Sequence, residues 1–364
     1  MKVREICAFL DTEIPVSFQE SYDNSGLQIG DPDQETGCGL LTLDITEEVA
    51  DEAIRNKCGI ILTHHPLIFN PVKKITGRNS TEKIIIKCLK NDIAVYSAHT
   101  SLDITHSWVS RRMAEKAGLE KIKVMVPLEQ RLLKLVTFIP QSHLDKVRDA
   151  IFAAGAGSTG NYDRCGFVAE GTGSFRGNEN SDPFIGEKGK MNFEKEVRFE
   201  TVLFSHTRDR VVKALIEAHP YEEVAYDLYP LENRNIDSGL GCTGMLKDEM
   251  TENEFLEFVS RIFGSKGIRY SKLSGKPLRK VALCGGSGSS LLNDAVTSGA
   301  DVFITADVKY HSFFDAEGRI LLIDAGHYET EKFAVDILKE LIIKKFPKFA
   351  LRFSEIITNP VNYL

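Results

Sequence analysis

The stretch Gly59-Ile60-Ile61-Leu62-Thr63-His64-His65-Pro66 constrains the fold more than any other part of the chain. A short, wholly apolar run of this kind reads as a buried strand of a parallel sheet, and the proline prevents the strand from continuing. Two adjacent histidines close it. In open α/β sheets, chemistry gathers just past the carboxyl ends of the strands, where this pair falls. Two later stretches have the same form. Ile93-Ala94-Val95-Tyr96-Ser97 leads into Ala98-His99-Thr100-Ser101-Leu102-Asp103, and residues 319–324 lead into Ala325-Gly326-His327-Tyr328-Glu329-Thr330-Glu331. Three strand ends bearing histidine or carboxylate predict one convergent metal site.

At 364 residues the chain exceeds one ordinary core, so two domains are expected. Residues 2–11 have helical spacing, and Tyr22-Asp23-Asn24-Ser25-Gly26 is a turn-rich entry into a first strand. Residues 39–44 form the next strand, and Thr46-Glu47-Glu48 caps a helix reaching about residue 57. Strand and helix alternate through Gly118, which predicts a layered α/β domain with a largely parallel sheet. Between 126 and 238 the order changes to strand 132–139, helix 142–154 opened by Ser142, strands 166–175 and 197–205, helix 209–219 and strand 223–231. That is the split βαβ order of a ferredoxin-like α+β domain, with a Gly/Asn/Asp-rich exposed link at 177–189. The α/β pattern returns at Gly239, with a capped helix at 251–263, a strand ending at Cys284 and a second strand at 302–305. The two outer halves hint at an internal pseudo-repeat. The fold class expected is therefore α/β: a two-lobed α/β metal-binding domain (1–125 and 239–364) carrying an inserted ferredoxin-like domain (126–238).

Imidazoles and carboxylates suit zinc, iron or manganese as divalent ions. Adjacent side chains on extended backbone point opposite ways, so His64 and His65 reach two neighbouring ions better than one. Asp103 adds a hard anionic ligand. His327 and Glu331 lie one helical turn apart and face the same way, and a carboxylate there can bridge two metals. Ions in such dinuclear sites sit roughly 3.5–4 Å apart and generate hydroxide near neutral pH. Each histidine alone reads more readily as a strand-end cap or surface residue; it is the three clusters together that favour metal. His99 either orients Asp103 or caps a helix, and Asp307 with His311 offers acid/base chemistry or a solvated helix start. Gly285-Gly286-Ser287-Gly288, between strand and helix, either presents amides to phosphate or is a tight turn. Gly160-Asn161-Tyr162 and Pro220-Tyr221-Glu222-Glu223 flank strands of the insert as candidate pocket walls.

The net charge of −7 argues against nonspecific nucleic-acid binding. No apolar run approaches the ~20 residues of a membrane span, and the N-terminus is not a signal peptide. Seven scattered cysteines without a CxxC spacing exclude a disulfide framework and a cysteine-based zinc site, so a reducing cytoplasm is expected.

At Asp-Asn-Ser-Gly-Leu-Gln, Thr-His-His-Pro, His-Thr-Ser-Leu-Asp and Gly-His-Tyr-Glu-Thr-Glu, in that order, the chain resembles the dinuclear-metal proteins of the NIF-three-like family. Bacterial members are often labelled type 2 GTP cyclohydrolase I homologues. The middle segment is similar to the PII/CutA-like insert of the longer members. The resemblance implies two metal ions, zinc or iron, held by His64, His65, Asp103, His327 and Glu331, with Glu331 bridging. It also implies a homohexamer built as a trimer of dimers. Two functions stand on it. One is a hydrolase, in its GTP form releasing formate, with His99 or His311 moving protons and Gly285, Gly286, Ser287 and Gly288 holding the triphosphate of a nucleotide-type substrate. The other is a regulatory or scaffold protein whose PII-like insert senses a ligand or partner.

Overall fold

The apolar run before the histidine pair forms the strand Ile60–Thr63, buried at every position, at the centre of a five-stranded sheet. The computed structural model to which it belongs describes residues 1–129, 132–160 and 162–364. In sheet order the strands are Gly26–Ile29, Ala94–Ser97, Ile60–Thr63, Cys38–Thr42 and Ala350–Phe353. The last four are mutually parallel, and only Gly26–Ile29 runs against its neighbour. Side chains alternate between two apolar layers, which is why these strands are apolar throughout rather than at every second residue. Leu41, Ile60, Leu62 and Tyr96 pack towards helices Val3–Glu13 and Ala334–Lys345. Leu40, Ile61 and Val95 pack towards helices Glu47–Arg55 and Ser80–Lys90. Both helices of the second layer start on side-chain caps. Thr46 accepts from the amide of Val49 and Asn79 from that of Glu82.

A second, six-stranded sheet runs in the order Arg269–Tyr270, Leu321–Asp324, Val302–Thr305, Leu278–Leu283, Asn235–Met250, Glu120–Leu128. Its three central strands are parallel, and Arg269–Tyr270 and Asn235–Met250 pair antiparallel at either side of them. Val281, Val302 and Ile323 face helix Glu252–Phe263, whose start is a full capping box between Thr251 and Glu254. Ala282, Phe303 and Leu322 face helix Leu292–Thr297. The two sheets with their helices form one unit, Met1–Pro127 with Ile236–Leu364. Strand Ala350–Phe353 does not follow from the sequence pattern. It takes the chain from the second half back to the edge of the first sheet, beside Cys38–Thr42.

The other unit spans Leu128–Asn235. Strands Leu132–Pro140, Gly166–Phe175, Asn192–Phe204 and Tyr226–Leu231 form a wholly antiparallel sheet, with the first beside the third and fourth. Helices Leu144–Ala153 and Arg208–Ala218 cover one face through Val147, Ile151, Val211 and Leu215. Element order and strand order are those of the ferredoxin-like split βαβ fold. Two local expectations are corrected. Ser142 does not cap the first helix; its hydroxyl bonds His143 Nδ1 within a preceding 3₁₀ turn. The third strand begins at Asn192 rather than Val197, because its polar outer residues pair with Gly171, Gly173 and Phe175 opposite. Asn161 lies outside the described residues, and Tyr162 is exposed. Among the described residues no helix is long and apolar enough to cross a membrane.

Candidate metal centre

Backbone hydrogen bonds first bring the strand ends together. The amide of His65 and the hydroxyl of Thr63 both donate to Leu43 O, the amide of Ala98 donates to Thr63 O, and Ser97 Oγ donates to His64 O. Main-chain amides and two hydroxyls thereby fix the ends of Cys38–Thr42, Ile60–Thr63 and Ala94–Ser97 independently of the candidate ligands. His64 and His65 leave the middle strand with ring centroids 4.9 Å apart. Asp103 comes from helix His99–Ile104, one turn beyond the third strand. His327 and Glu331 open and close the short helix His327–Glu331, after strand Leu321–Asp324 of the second sheet.

Glu331 Oε2 is the hub. It lies 2.7 Å from His327 Nε2, 2.8 Å from His65 Nε2 and 3.7 Å from His64 Nε2. Asp103 Oδ1 stands 3.8 Å from the same His64 nitrogen. All five residues expected from the sequence are therefore brought to one place, and His64, His65 and Glu331 form a cluster, the one found among the described residues, whose ligand atoms lie within 4.8 Å of one another. His64 is 0 % exposed, yet neither of its nitrogens has a hydrogen-bond partner among the described residues, and neither does Asp103 Oδ1. Leaving buried polar atoms unmatched costs roughly 1–3 kcal/mol each. Two donors at ~2.0–2.2 Å from a tetrahedral ion are ~3.4 Å apart, close to the separations around His64. The residues present fit a divalent cation.

Carboxylates orient two of the imidazoles from behind. Asp44 Oδ1 is 2.6 Å from His65 Nδ1, and Asp307 Oδ2 is 2.7 Å from His327 Nδ1. An ionised carboxylate only accepts, so each Nδ1 carries the proton and each Nε2 faces Glu331. The electrostatics follow. Burial opposes charge on His65 and His327, but bonds to Asp44, Asp307 and Glu331 outweigh it and raise these imidazoles to about 9 and about 11. Burial depresses His64 to about 4. Burial and the neighbouring Glu331 push Asp103 well above the usual carboxylate range. Glu331 is held well below that range despite its burial, by bonds to His327 and His65 and by the electrostatic effect of nearby His64. An accumulation of buried carboxylate that one cation would relieve is the expected signature of such a site.

His99 stands beside the cluster, 5.5 Å by ring centroid from both His64 and His65, but its Nδ1 is 2.7 Å from Asp23 Oδ1. It is Asp23, not Asp103, that it pairs with. Asp23 Oδ2 also accepts from the amide and hydroxyl of Thr100, so the Asp23 turn braces the helix that carries Asp103. His311 is exposed and packs on Tyr310 and Phe314. The Gly285–Gly288 loop departs from the phosphate cradle expected of it. The amides of Gly285, Gly286 and Gly288 donate to the hydroxyls of Ser110, Thr330 and Thr305. A Cβ at Gly286, whose φ is +61°, would fall 1.9 Å from Glu331 Oε1. The loop is a socket for the hub carboxylate. Asp44 was not singled out from the sequence, although it ends its strand just as His64 ends the next; applying the strand-end rule to every strand would have found it.

Beside His65 and His327 opens a cavity of about 720 Å³. Its walls include Asp44, Asp307, Asp324 and Glu329, the guanidinium of Arg269, and the rings of Tyr328 and Tyr363. The tail after the last strand forms one side, tied down by Thr358 Oγ1 to Asp44 and Asn359 Nδ2 to Glu329.

The chain resembles known proteins over nearly its whole length. A family model described as Duf34/NIF3 (NGG1p interacting factor 3) matches residues 1–360. A Halalkalibacterium halodurans protein named GTP cyclohydrolase 1 type 2 homolog is 41% identical over 333 residues, covering 91% of this chain and 89% of its own. A Bacillus subtilis protein of the same name is 38% identical, covering 99% and 98%. The solved structure of a Bacillus cereus protein related to NIF3 matches 100% of this chain and 99% of its own, at a TM-score of 0.87 and 39% identity.

Proposed function

Since the chain belongs to the Duf34/NIF3 family, we propose that it is a metal-dependent hydrolase in which His64, His65, Asp103, His327 and Glu331 hold two divalent ions. Zinc or iron suits this donor set, with manganese a third candidate. The observation that carries the reading is His64, fully buried with both nitrogens unmatched next to the equally unmatched Asp103 Oδ1. When bound, such ions supply Lewis acidity and make water a nucleophile near neutral pH. The protein's own groups do the rest. Glu331 Oε2, within reach of His64, His65 and His327, would supply the anionic charge that holds the ions among these imidazoles. Asp44 and Asp307 keep the imidazoles of His65 and His327 aimed at it. His99, anchored at Nδ1 by Asp23, has Nε2 for moving a proton.

The adjoining cavity bears on the substrate. Four carboxylates and one guanidinium line it, which favours a substrate with little negative charge, whose ring can rest against Tyr328 or Tyr363. The relatives' name makes GTP, opened at its imidazole carbon with loss of formate, the first compound to try. The acidic lining argues against unassisted capture of a triphosphate. Metal analysis of the purified protein, followed by a hydrolase substrate screen on wild type and His64→Ala, tests the proposal. A bound divalent metal and a turnover that His64→Ala abolishes support it; identical behaviour of the two proteins rejects it. The homohexamer expected of the family belongs to the same proposal and is tested by light scattering.

A second reading, a ligand-sensing regulatory protein, draws on a cavity of about 740 Å³ within the Leu128–Asn235 unit. Its floor is the outer face of the sheet at Gly171 and Gly173, and Phe138, Phe175, Phe184 and Tyr221 line it. A Cβ at Gly171 would meet only Glu196 O, at an ordinary contact distance of 4.0 Å, so Gly171→Leu fills the cavity without disturbing the sheet. A metabolite-library thermal shift that this variant loses favours sensing; no shift with any compound removes the reading.

A further inference from the structure

Cys38 and Cys58 are both free, and their sulfurs lie 2.7 Å apart. We propose that this pair is a reversible redox site, closed to a disulfide by a hydroperoxide. The backbone already holds the two residues in place. The amide of Gly59 and the hydroxyl of Thr36 both donate to Cys38 O, and Gly59 fits because a Cβ there would lie 2.8 Å from Thr36 Oγ1. Closing the sulfurs to about 2.05 Å therefore needs only a small side-chain movement.

The two thiols have different roles. Cys38 is partly exposed at the start of its strand, and Cys58 is 2 % exposed. Burial, with Cys38 beside it, pushes the Cys58 thiol up to about 12, so Cys58 is a poor first nucleophile. Cys38, as thiolate, attacks one peroxide oxygen, the O–O bond breaks, and hydroxide (or the alcohol of an organic peroxide) leaves Cys38 as the sulfenic acid. Cys58 sulfur then attacks Cys38 sulfur and expels the hydroxyl group as water once protonated. Two thiols lose two electrons and two protons to the peroxide, and two waters form from hydrogen peroxide.

The position gives the bond a consequence. Cys38 opens the strand that leads to Asp44, and Cys58 precedes the strand that leads to His64 and His65. The disulfide pins the near ends of the two strands whose far ends build the metal centre, and closes the segment between them against unfolding.

The test uses the full-length protein, treated with hydrogen peroxide, freed of it and then denatured. The expected result is a fall from seven to five titratable thiols, one cross-linked peptide joining Cys38 to Cys58, a higher urea midpoint, and full reversal by dithiothreitol. Cys58→Ser should lose the cross-link and the midpoint shift. Retention of seven thiols overturns the proposal, as does loss of thiols mapped to other cysteines or irreversible over-oxidation of Cys38 in place of the cross-link. The wild-type map decides the matter even where the serine variant folds poorly.

Discussion

Glu331 Oε2 lies 2.7 Å from Nε2 of His327, one turn back on the same five-residue helix, and that contact orients the carboxylate towards the other two imidazoles. Everything proposed for the centre depends on this oxygen. Glu331→Gln keeps the shape but replaces the anion, and it should reduce the metal retained after dialysis by at least about tenfold, since hard divalent ions need the charge. Elemental analysis of wild type and variant, prepared alike, reads this out. Equal metal contents would remove Glu331 as a ligand.

The carboxylates behind the imidazoles have a smaller and separable effect. Asp44→Asn and Asp307→Asn each leave the ligands in place while weakening their orientation, and partners of this kind are worth roughly 10–100-fold in metal affinity. Competition with a chromophoric chelator measures the ratio. An Asp307→Asn protein that binds as tightly as wild type would reduce the contact to His327 Nδ1 to a surface ion pair.

Metal uptake should release protons. In the metal-free chain, bonds to Asp44, Asp307 and Glu331 outweigh burial and push His65 up to about 9 and His327 up to about 11, so at pH 7.5 each carries a proton that coordination displaces. At least about two protons per chain should therefore leave on binding, those of His65 and His327 together with any that Asp103 holds, and apparent affinity should strengthen as pH rises towards 9, where His65 is already partly deprotonated. Calorimetric titrations in buffers of different ionisation enthalpy give the count. Heat independent of buffer would contradict it. His64, depressed to about 4, remains an unprotonated donor well into acid.

The core around the strand ends is equally testable. Ile61 is fully buried between Leu40 and Val95 and faces the helices, so trimming it leaves a cavity. Ile61→Ala should cost about 2–5 kcal/mol, measured by urea unfolding, with metal stoichiometry unchanged in the protein that remains folded. A cost within experimental error would mean that the layer between sheet and helices is loosely packed.

How much of this was legible in the sequence differs from residue to residue. His64 and His65 could be read because an apolar run that stops at a proline has one place to end, and His327 and Glu331 because one helical turn separates them. The ferredoxin-like order of the insert could be read from alternation and turn residues. The Gly285–Gly288 loop could not be resolved, because a strand, a glycine turn and a helix serve either to receive phosphate or to admit a buried side chain. The deciding groups, the hydroxyls of Ser110, Thr305 and Thr330, are far away in sequence. Asp23 shares that difficulty, since its partner His99 lies 76 positions on. Strand Ala350–Phe353 was hidden because it is an edge strand with little burial to impose a pattern.

Where the chain leaves the two-sheet unit and where it returns, it does so on neighbouring strands, Glu120–Leu128 and Asn235–Met250. Gly239 lies against Val126 and Pro127, and Gly244 against Leu119 and Glu120, so the two run in opposite directions with their open ends side by side. A tight hairpin could join them there and leave every strand of the sheet with its present neighbour. The fold thus has a natural seam, at which an entire accessory domain can be gained, exchanged or lost while the residues that assemble around Glu331 stay where they are.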